Sequence, residues 1–147
     1  MTDKKRLLVY VAGPFSAPTE QGILVNLDRA ILAANTVIAR GHHPYLPHLT
    51  YYNAAHWSNP FGSGLAGQND RRWIDVDAPW VLLCDAIYIM PTAYESKTVT
   101  ENGATYTERV WKSRGAMHEY QEALKAGRKI FWSVEELPEA PPWEGQH

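Results

Sequence analysis

The chain has almost no cysteine, little net charge and no long uninterrupted apolar run at its start, and each shortage removes a class of protein. Cys84 is the only cysteine in 147 residues, so no internal disulfide can form and a reducing cytoplasm is the simplest setting. The formal charge of −2 supplies no broad basic surface, which argues against binding a long nucleic acid through its phosphates. A single nucleotide held by local groups remains open. Lys4-Lys5-Arg6 precede an apolar run, but Gly13-Pro14 end it far short of a signal sequence or membrane span. No targeting segment and no membrane partner are therefore expected. The chain also lacks internal repeats, low-complexity tracts, a Gly-x-Ser-x-Gly elbow, and the spacing of a dinucleotide fingerprint or a phosphate-binding P-loop. His42, His43, His48 and His56 have no metalloprotease-type pairing and no accompanying cysteines, so they read as structural and no metal is expected.

What is present belongs to an ordinary soluble globular chain, 45% hydrophobic and 20% charged, with length for one domain over residues 1–147. Six tryptophans and eight tyrosines suit a ligand pocket, a subunit interface or both. Leu7 to Ala12 is a continuous apolar run, the pattern of a strand buried on both faces. Residues 22 to 40 carry Ile23, Leu27, Ala30, Ile31, Ala34, Val37 and Ile38 at helical spacing before Gly41. The prolines of residues 42 to 48 suit a short strand near a sheet edge. A long loop is expected from there to about residue 68; its Tyr51, Tyr52, His56, Trp57 and Phe61 mark it as a binding wall rather than a disordered segment.

Residues 69 to 83 read as helical, with Pro79 forcing a kink or a fresh start, and Ala86 to Met90 as the next buried strand. The Thr-rich stretch 92 to 112, with Asn102-Gly103 as a hairpin or loop tip, is a candidate inserted flap or lid. A helix over 114 to 126 and a strand over 129 to 132 complete an alternation of strands and helices. That alternation implies a parallel sheet covered on both faces, with ligands at the carboxyl ends of its strands. The loops after Ala12, Pro47 and Met90 should share that rim.

Two carboxylates have competing readings. Glu119 falls near the margin of a helical stripe formed by Ala116, Met117, Tyr120, Ala123 and Leu124, with Glu122 towards water. Half-buried there, it suits nucleophilic or acid/base work, but periodicity alone favours a boundary glutamate paired with a nearby Arg or Lys. Asp77-Ala78-Pro79 looks like a helix N-cap followed by an early proline, and on the residues alone capping is favoured. Asp85 reads as a tether at a strand start, Tyr10 as a core tyrosine, and Cys84 as too buried to be a nucleophile. Gly13-Pro14-Phe15-Ser16 after a strand could approach a phosphate or ribose, although alone this is a weak signal.

Taken in order, Val9-Tyr10-Val11-Ala12-Gly13-Pro14, then Asp77 eight residues before Asp85, then Ser113-x-Gly115-x-x-x-Glu119 followed by Ala123, resemble the nucleoside 2-deoxyribosyltransferase family. That superfamily also holds 2'-deoxynucleoside 5'-monophosphate N-glycosidases. The resemblance spans about residues 7 to 132 and implies a flavodoxin-like or Rossmann-like α/β fold. It implies that Glu119 attacks the anomeric carbon, that Asp77 binds the sugar or moves a proton at the base, and that Tyr10 positions the nucleophile. It further implies that Gly13, with Pro14 and Phe15, lets the sugar approach the backbone. Ser113 stands where the transferases carry an acidic residue; serine there resembles the nucleotide-hydrolase branch, in which it helps bind the 5'-phosphate, beside Lys112, Arg114 and Gly115. No cofactor is implied, the partner is a small nucleoside or nucleotide, and a homodimer or higher homo-oligomer completes the site. The chain departs from the family in the length of 92 to 112 and in Pro79. Other classes stay in view: a non-catalytic nucleotide-binding or sensor module on the same fold, and a flavin-binding flavodoxin-like domain.

Overall fold

The computed structural model describes residues 5–144. Strand β1 (Leu8–Ala12) leads into helix α1 (Glu20–Ala39), which is opened by the Thr19 hydroxyl accepting the Gly22 N–H at 3.0 Å. Strand β2 (His43–Tyr45) follows, then two short helices, α2 (Tyr51–Ala54) and α3 (Gly64–Gln68), and a longer one, α4 (Arg72–Leu83). Strand β3 (Ala86–Ile89) precedes an antiparallel pair, β4 (Tyr94–Glu101) and β5 (Ala104–Trp111), and helix α5 (Arg114–Lys125) and strand β6 (Lys129–Phe131) complete the order. The protein is thus a mixed α/β structure, compatible with a Rossmann-like arrangement. It has a parallel sheet in the order β2-β1-β3-β6 and a separate β4-β5 sheet.

The alternation of side chains along a strand divides β1 between two cores. Val9 and Val11 pack with Ala30 and Val37 of α1, while Tyr10 and Ala12 pack with Val81 of α4 and with Ala116 and Ala123 of α5. Helices therefore cover both faces, and β1 is buried from Val9 to Ala12 as its unbroken apolar run requires. Helix α1 is long and apolar enough, by length and composition alone, to cross a membrane. Here its Ile23, Leu27, Ala30, Ala34 and Val37 are buried in the fold.

Several expectations change. Residues 49 to 68 are not one loop but include α2 and α3, drawn together by Asn59, whose amide donates to the Ala54 carbonyl at 2.8 Å and whose Oδ1 accepts the Phe61 N–H at 2.9 Å. Helix α4 runs through Pro79 without a new start, and Asp77 lies inside it rather than at a cap. The proline removes the bond its missing N–H would have donated to the turn before it, and its ring crowds the carbonyl there. In α5 the buried residues are Ala116, Glu119 and Ala123, whereas Leu124 is exposed, so the carboxylate sits in the middle of the buried stripe and not at its margin. Asp85 does tether, with Oδ2 accepting the Leu8 N–H at 2.9 Å.

The stretch expected to be a flap is a hairpin turning at Asn102 and Gly103, whose φ values of 53° and 80° are those its two-residue turn needs. Most of it is exposed. At its root Arg109 lies 3.7 Å over the Trp132 ring, and the Ala93 carbonyl accepts both the Lys112 N–H at 2.8 Å and the Ser113 N–H at 3.1 Å. The excursion leaves and rejoins the body at one point.

Candidate active site

A cavity of about 390 Å³ opens at the carboxyl rim of the sheet, within the size range of small-molecule sites. Its walls come from the segment after β1 (Gly13 to Ser16), the turn after β2 (Pro47, His48, Thr50), the start and inner face of α4, and the N-terminus of α5. Gly13, Pro14, Phe15, Asp77, Ser113, Arg114, Gly115 and Glu119 all line it. Tyr10 does not; it is fully buried beneath, and its hydroxyl donates a hydrogen bond to Glu119 Oε2. Sequence positions from 10 to 119 thus converge at one place. The β4-β5 hairpin contributes no lining residue.

Each side chain is held by identifiable local structure. Gly13 is a glycine because a Cβ there would collide with the Met90 thioether, so the backbone after β1 can lie against β3. Asn69 fastens the outer part of that segment, its amide donating to the Ala17 carbonyl at 2.8 Å while its Oδ1 accepts the Ala17 N–H at 3.0 Å. Ser113 caps α5 by accepting the Ala116 N–H at 3.2 Å. Its own O–H is left to donate, beside the positive end of the helix and the side chains of Lys112 and Arg114.

The electrostatics are dominated by burial. Glu119, 7% exposed, has no ion-pair partner among the described residues, and desolvation raises its pKa well above the ordinary carboxyl value. The Tyr10 hydroxyl opposes this by donating to the charged form. Asp77, 8% exposed, is pushed up by burial from 3.8 to about 7, and its Oδ1 has no hydrogen-bond partner. Burial, with the Asp77 charge, also raises Tyr45 to about 12; its ring stacks on Trp80 at 5.1 Å. At the mouth, Asp70 is held down at about 2 by hydrogen bonds from Arg72. A boundary glutamate paired with Arg or Lys is therefore not what Glu119 is.

The sequence reading did not assign His48, Gln68, Asn69, Arg71, Trp73 or Ile74 to the site, yet all six line the cavity. His48 had a partial signal, because the turn after Pro47 was expected at the ligand rim. Gln68 had none; it is placed by Gly67, where a Cβ would collide with the Gly62 carbonyl, and by the Trp73 indole donating to the Gly67 carbonyl at 3.0 Å. Burial lowers His48 to about 4. Among the described residues no three His, Cys, Asp or Glu side chains are grouped to hold a metal ion.

No protein-family model matches the chain, and no curated protein matches it.

Proposed function

We propose that the protein cleaves or transfers the N-glycosidic bond of a nucleoside or nucleoside 5'-monophosphate through a covalent glycosyl ester on Glu119. The observation that carries this reading is the pair of buried carboxyls, Glu119 and Asp77, lining one cavity with no cationic side chain paired to either, while the Tyr10 hydroxyl holds Oε2. The strand order, with β1 and β3 adjacent and the cavity at their carboxyl ends, supports it, because open parallel sheets bind ligands there.

In the proposed first step the bond from the anomeric carbon to the base nitrogen breaks as a bond to a Glu119 oxygen forms. The electron pair leaves with the base, which takes a proton from Asp77. A carboxyl with a pKa of about 7 still carries that proton near neutrality and can give it up. Glu119 must be ionised to attack, which burial opposes. The Tyr10 hydrogen bond and the positive charge developing on the sugar favour the anion when it is needed. In the second step water or a free base attacks the anomeric carbon from the opposite face, gives its proton to the Asp77 carboxylate, and releases Glu119 as the carboxylate. Ser113, Lys112, Arg114 and the α5 N-terminus would hold a 5'-phosphate, which weights the reading towards a nucleotide hydrolase.

The proposal extends to assembly in a reducing cytoplasm as a homodimer or higher oligomer. Val76, Trp80 and Leu83 expose an apolar stripe at 42%, 45% and 65% along α4, suited to a second copy. The alternative, a nucleotide sensor on the same fold, is favoured by one observation: the burial of Glu119 raises its pKa and works against the anion that attack on carbon requires.

The test is chromatography of the protein incubated with deoxynucleosides and their 5'-monophosphates, with and without a second free base. A new nucleoside establishes transfer, and free base with sugar or sugar phosphate establishes hydrolysis. Tight binding without either product leaves the sensor.

A further inference from the structure

The parallel pairing of β1 with β2 sets Tyr45 level with Tyr10, so their side chains rise from the same face of the sheet. Their ring centroids lie 5.5 Å apart, with the planes 30° from parallel. Tyr45 also stacks on Trp80 of α4, 5.1 Å away and within 19° of parallel. Three rings therefore run from the partly exposed α4 surface to a fully buried tyrosine, joined through Tyr45. At the inner end the Tyr10 hydroxyl donates to Glu119 Oε2. Tyr45 itself does not line the cavity.

The strand fixes the Tyr10 backbone, but the hydroxyl stands at the far end of the ring. A change in ring tilt moves that oxygen more than any other atom of the side chain, and a hydrogen bond weakens steeply as its angle closes. The buried side chains grouped with Tyr10, among them Ala12, Val81, Ile87, Ala116 and Ala123, are small or aliphatic. The ring that Tyr10 packs against is that of Tyr45, and the Trp80 stack in turn holds Tyr45.

We infer that Tyr45 is a positioning residue for the proposed reaction: its ring fixes the tilt of Tyr10 and, through it, the hydrogen bond to Glu119. The inference rests on the N-glycosidic reading for making Glu119 the nucleophile. The coupling between Tyr45 and Glu119 stands on the ring geometry alone. Burial works against the Glu119 anion, and the bond donated by Tyr10 is the influence that opposes it. Misplacing such a supporting group by about 1 Å can cost on the order of 100-fold in rate. The ring of Tyr45 carries the effect, and its hydroxyl has no part in it.

The experiment uses the full chain and two readouts. The first needs no substrate: the Glu119 carboxyl is titrated by carbon NMR in protein labelled at its glutamate side chains, with Glu119→Gln assigning the signal. Tyr45→Leu should move the Glu119 midpoint to higher pH, as Tyr10→Phe does, and the double variant should move it no further than Tyr10→Phe alone. Tyr45→Phe keeps the ring and should titrate as the wild type does. The other ionisable side chains on the cavity, His48, Asp70, Arg71, Asp77, Lys112 and Arg114, are intact in every variant, so a shift that follows Tyr45 is carried by the ring. The second readout is turnover of deoxynucleoside 5'-monophosphates. Tyr45→Leu should lose on the order of 10- to 100-fold in kcat with KM nearly unchanged, while Tyr45→Phe keeps the wild-type rate. Should Tyr45→Leu fail to fold, Trp80→Leu takes its place, with a smaller shift in the same direction. A midpoint unmoved by the loss of the ring overturns the inference, as do equal shifts in Tyr45→Leu and Tyr45→Phe. So does a Tyr45→Leu shift that adds to that of Tyr10→Phe or occurs without one there. The expected titrations in a protein that releases no base from any nucleoside or nucleotide would sink the N-glycosidic reading while keeping the coupling of Tyr45 to Glu119.

Discussion

Strand β1 presents two neighbouring surfaces that have been put to opposite uses. Val9 and Val11 enter a core of aliphatic and aromatic side chains under α1, where the buried His42 has partners on both ring nitrogens, the Leu7 N–H and the Pro138 carbonyl. Tyr10 and Ala12, one residue out of step, enter the core under α4 and α5, where Glu119 and Asp77 are also buried. The first face gains stability from each methyl it hides. The second hides carboxyls at a cost, since both are held away from their ordinary ionisation by desolvation. Stability gained elsewhere in the fold must offset that cost, and buried carboxyls without ion-pair partners make this face the candidate for a chemical task.

The largest expected effect comes from making the costly face harmless. Glu119→Gln keeps the shape and the Tyr10 contact but removes the nucleophile, so turnover should fall by at least about 10³-fold, and the thermal midpoint at pH 8 should rise. A mutant that retained most of its activity would remove Glu119 from the nucleophile role.

Asp77→Asn comes next. Its folded pKa of about 7 lies above the ordinary 3.8, so its stabilising contribution is complete below about pH 4 and is lost as pH rises through about 7. The wild-type midpoint should therefore decline between about pH 4 and pH 7 and level off above it. Asp77→Asn should flatten that decline and gain roughly 3–6 °C over wild type at pH 8. Rate should drop about 100-fold, with loss of the fall in activity above pH 7 that the protonated acid imposes. A variant with an unchanged pH–rate profile would take Asp77 out of the proton transfer.

On the inert face Val11→Ala should do the reverse. We expect a loss of roughly 2 kcal/mol in urea unfolding and wild-type kcat at temperatures where the variant is folded. A kcat change comparable to that of Asp77→Asn would break the contrast between the faces. The smallest effect is expected outside both. Joining Glu95 to Val110, which are paired in the hairpin, through Asn-Gly deletes the exposed arm and the Arg109 stack. Stability should fall by about 1 kcal/mol and turnover should stay within about twofold, because no hairpin residue lines the cavity. A large loss of activity would restore the flap to a role over the site.

The apolar periodicity of β1 and α1, the proline-marked edge strand β2 and the Asn102-Gly103 turn were legible in the sequence because each is set by neighbours within a few residues. The short helices α2 and α3 were not, since they depend on Asn59 and on the close passage of Gly67 against Gly62. The passage of α4 through Pro79 likewise depends on the packing of Asp77 and Val81. Glu119 was visible but misplaced by half a face, because a helical wheel cannot show that Leu124 overhangs the body. Asp77 looked like a cap for the same reason that Pro79 looked like a break. His48 and Gln68 stayed hidden as site residues because the cavity they line exists only once its walls have been built.

The bond from Tyr10 to Glu119 joins positions 109 apart in the chain. Closing so long a loop is an entropic cost met only when the first strand and the last helix have both found the sheet. The pair is consequently expected to form late in folding. Recovery of the proposed activity after dilution from denaturant would time the completion of the whole structure, whereas helix signal would report only its beginnings.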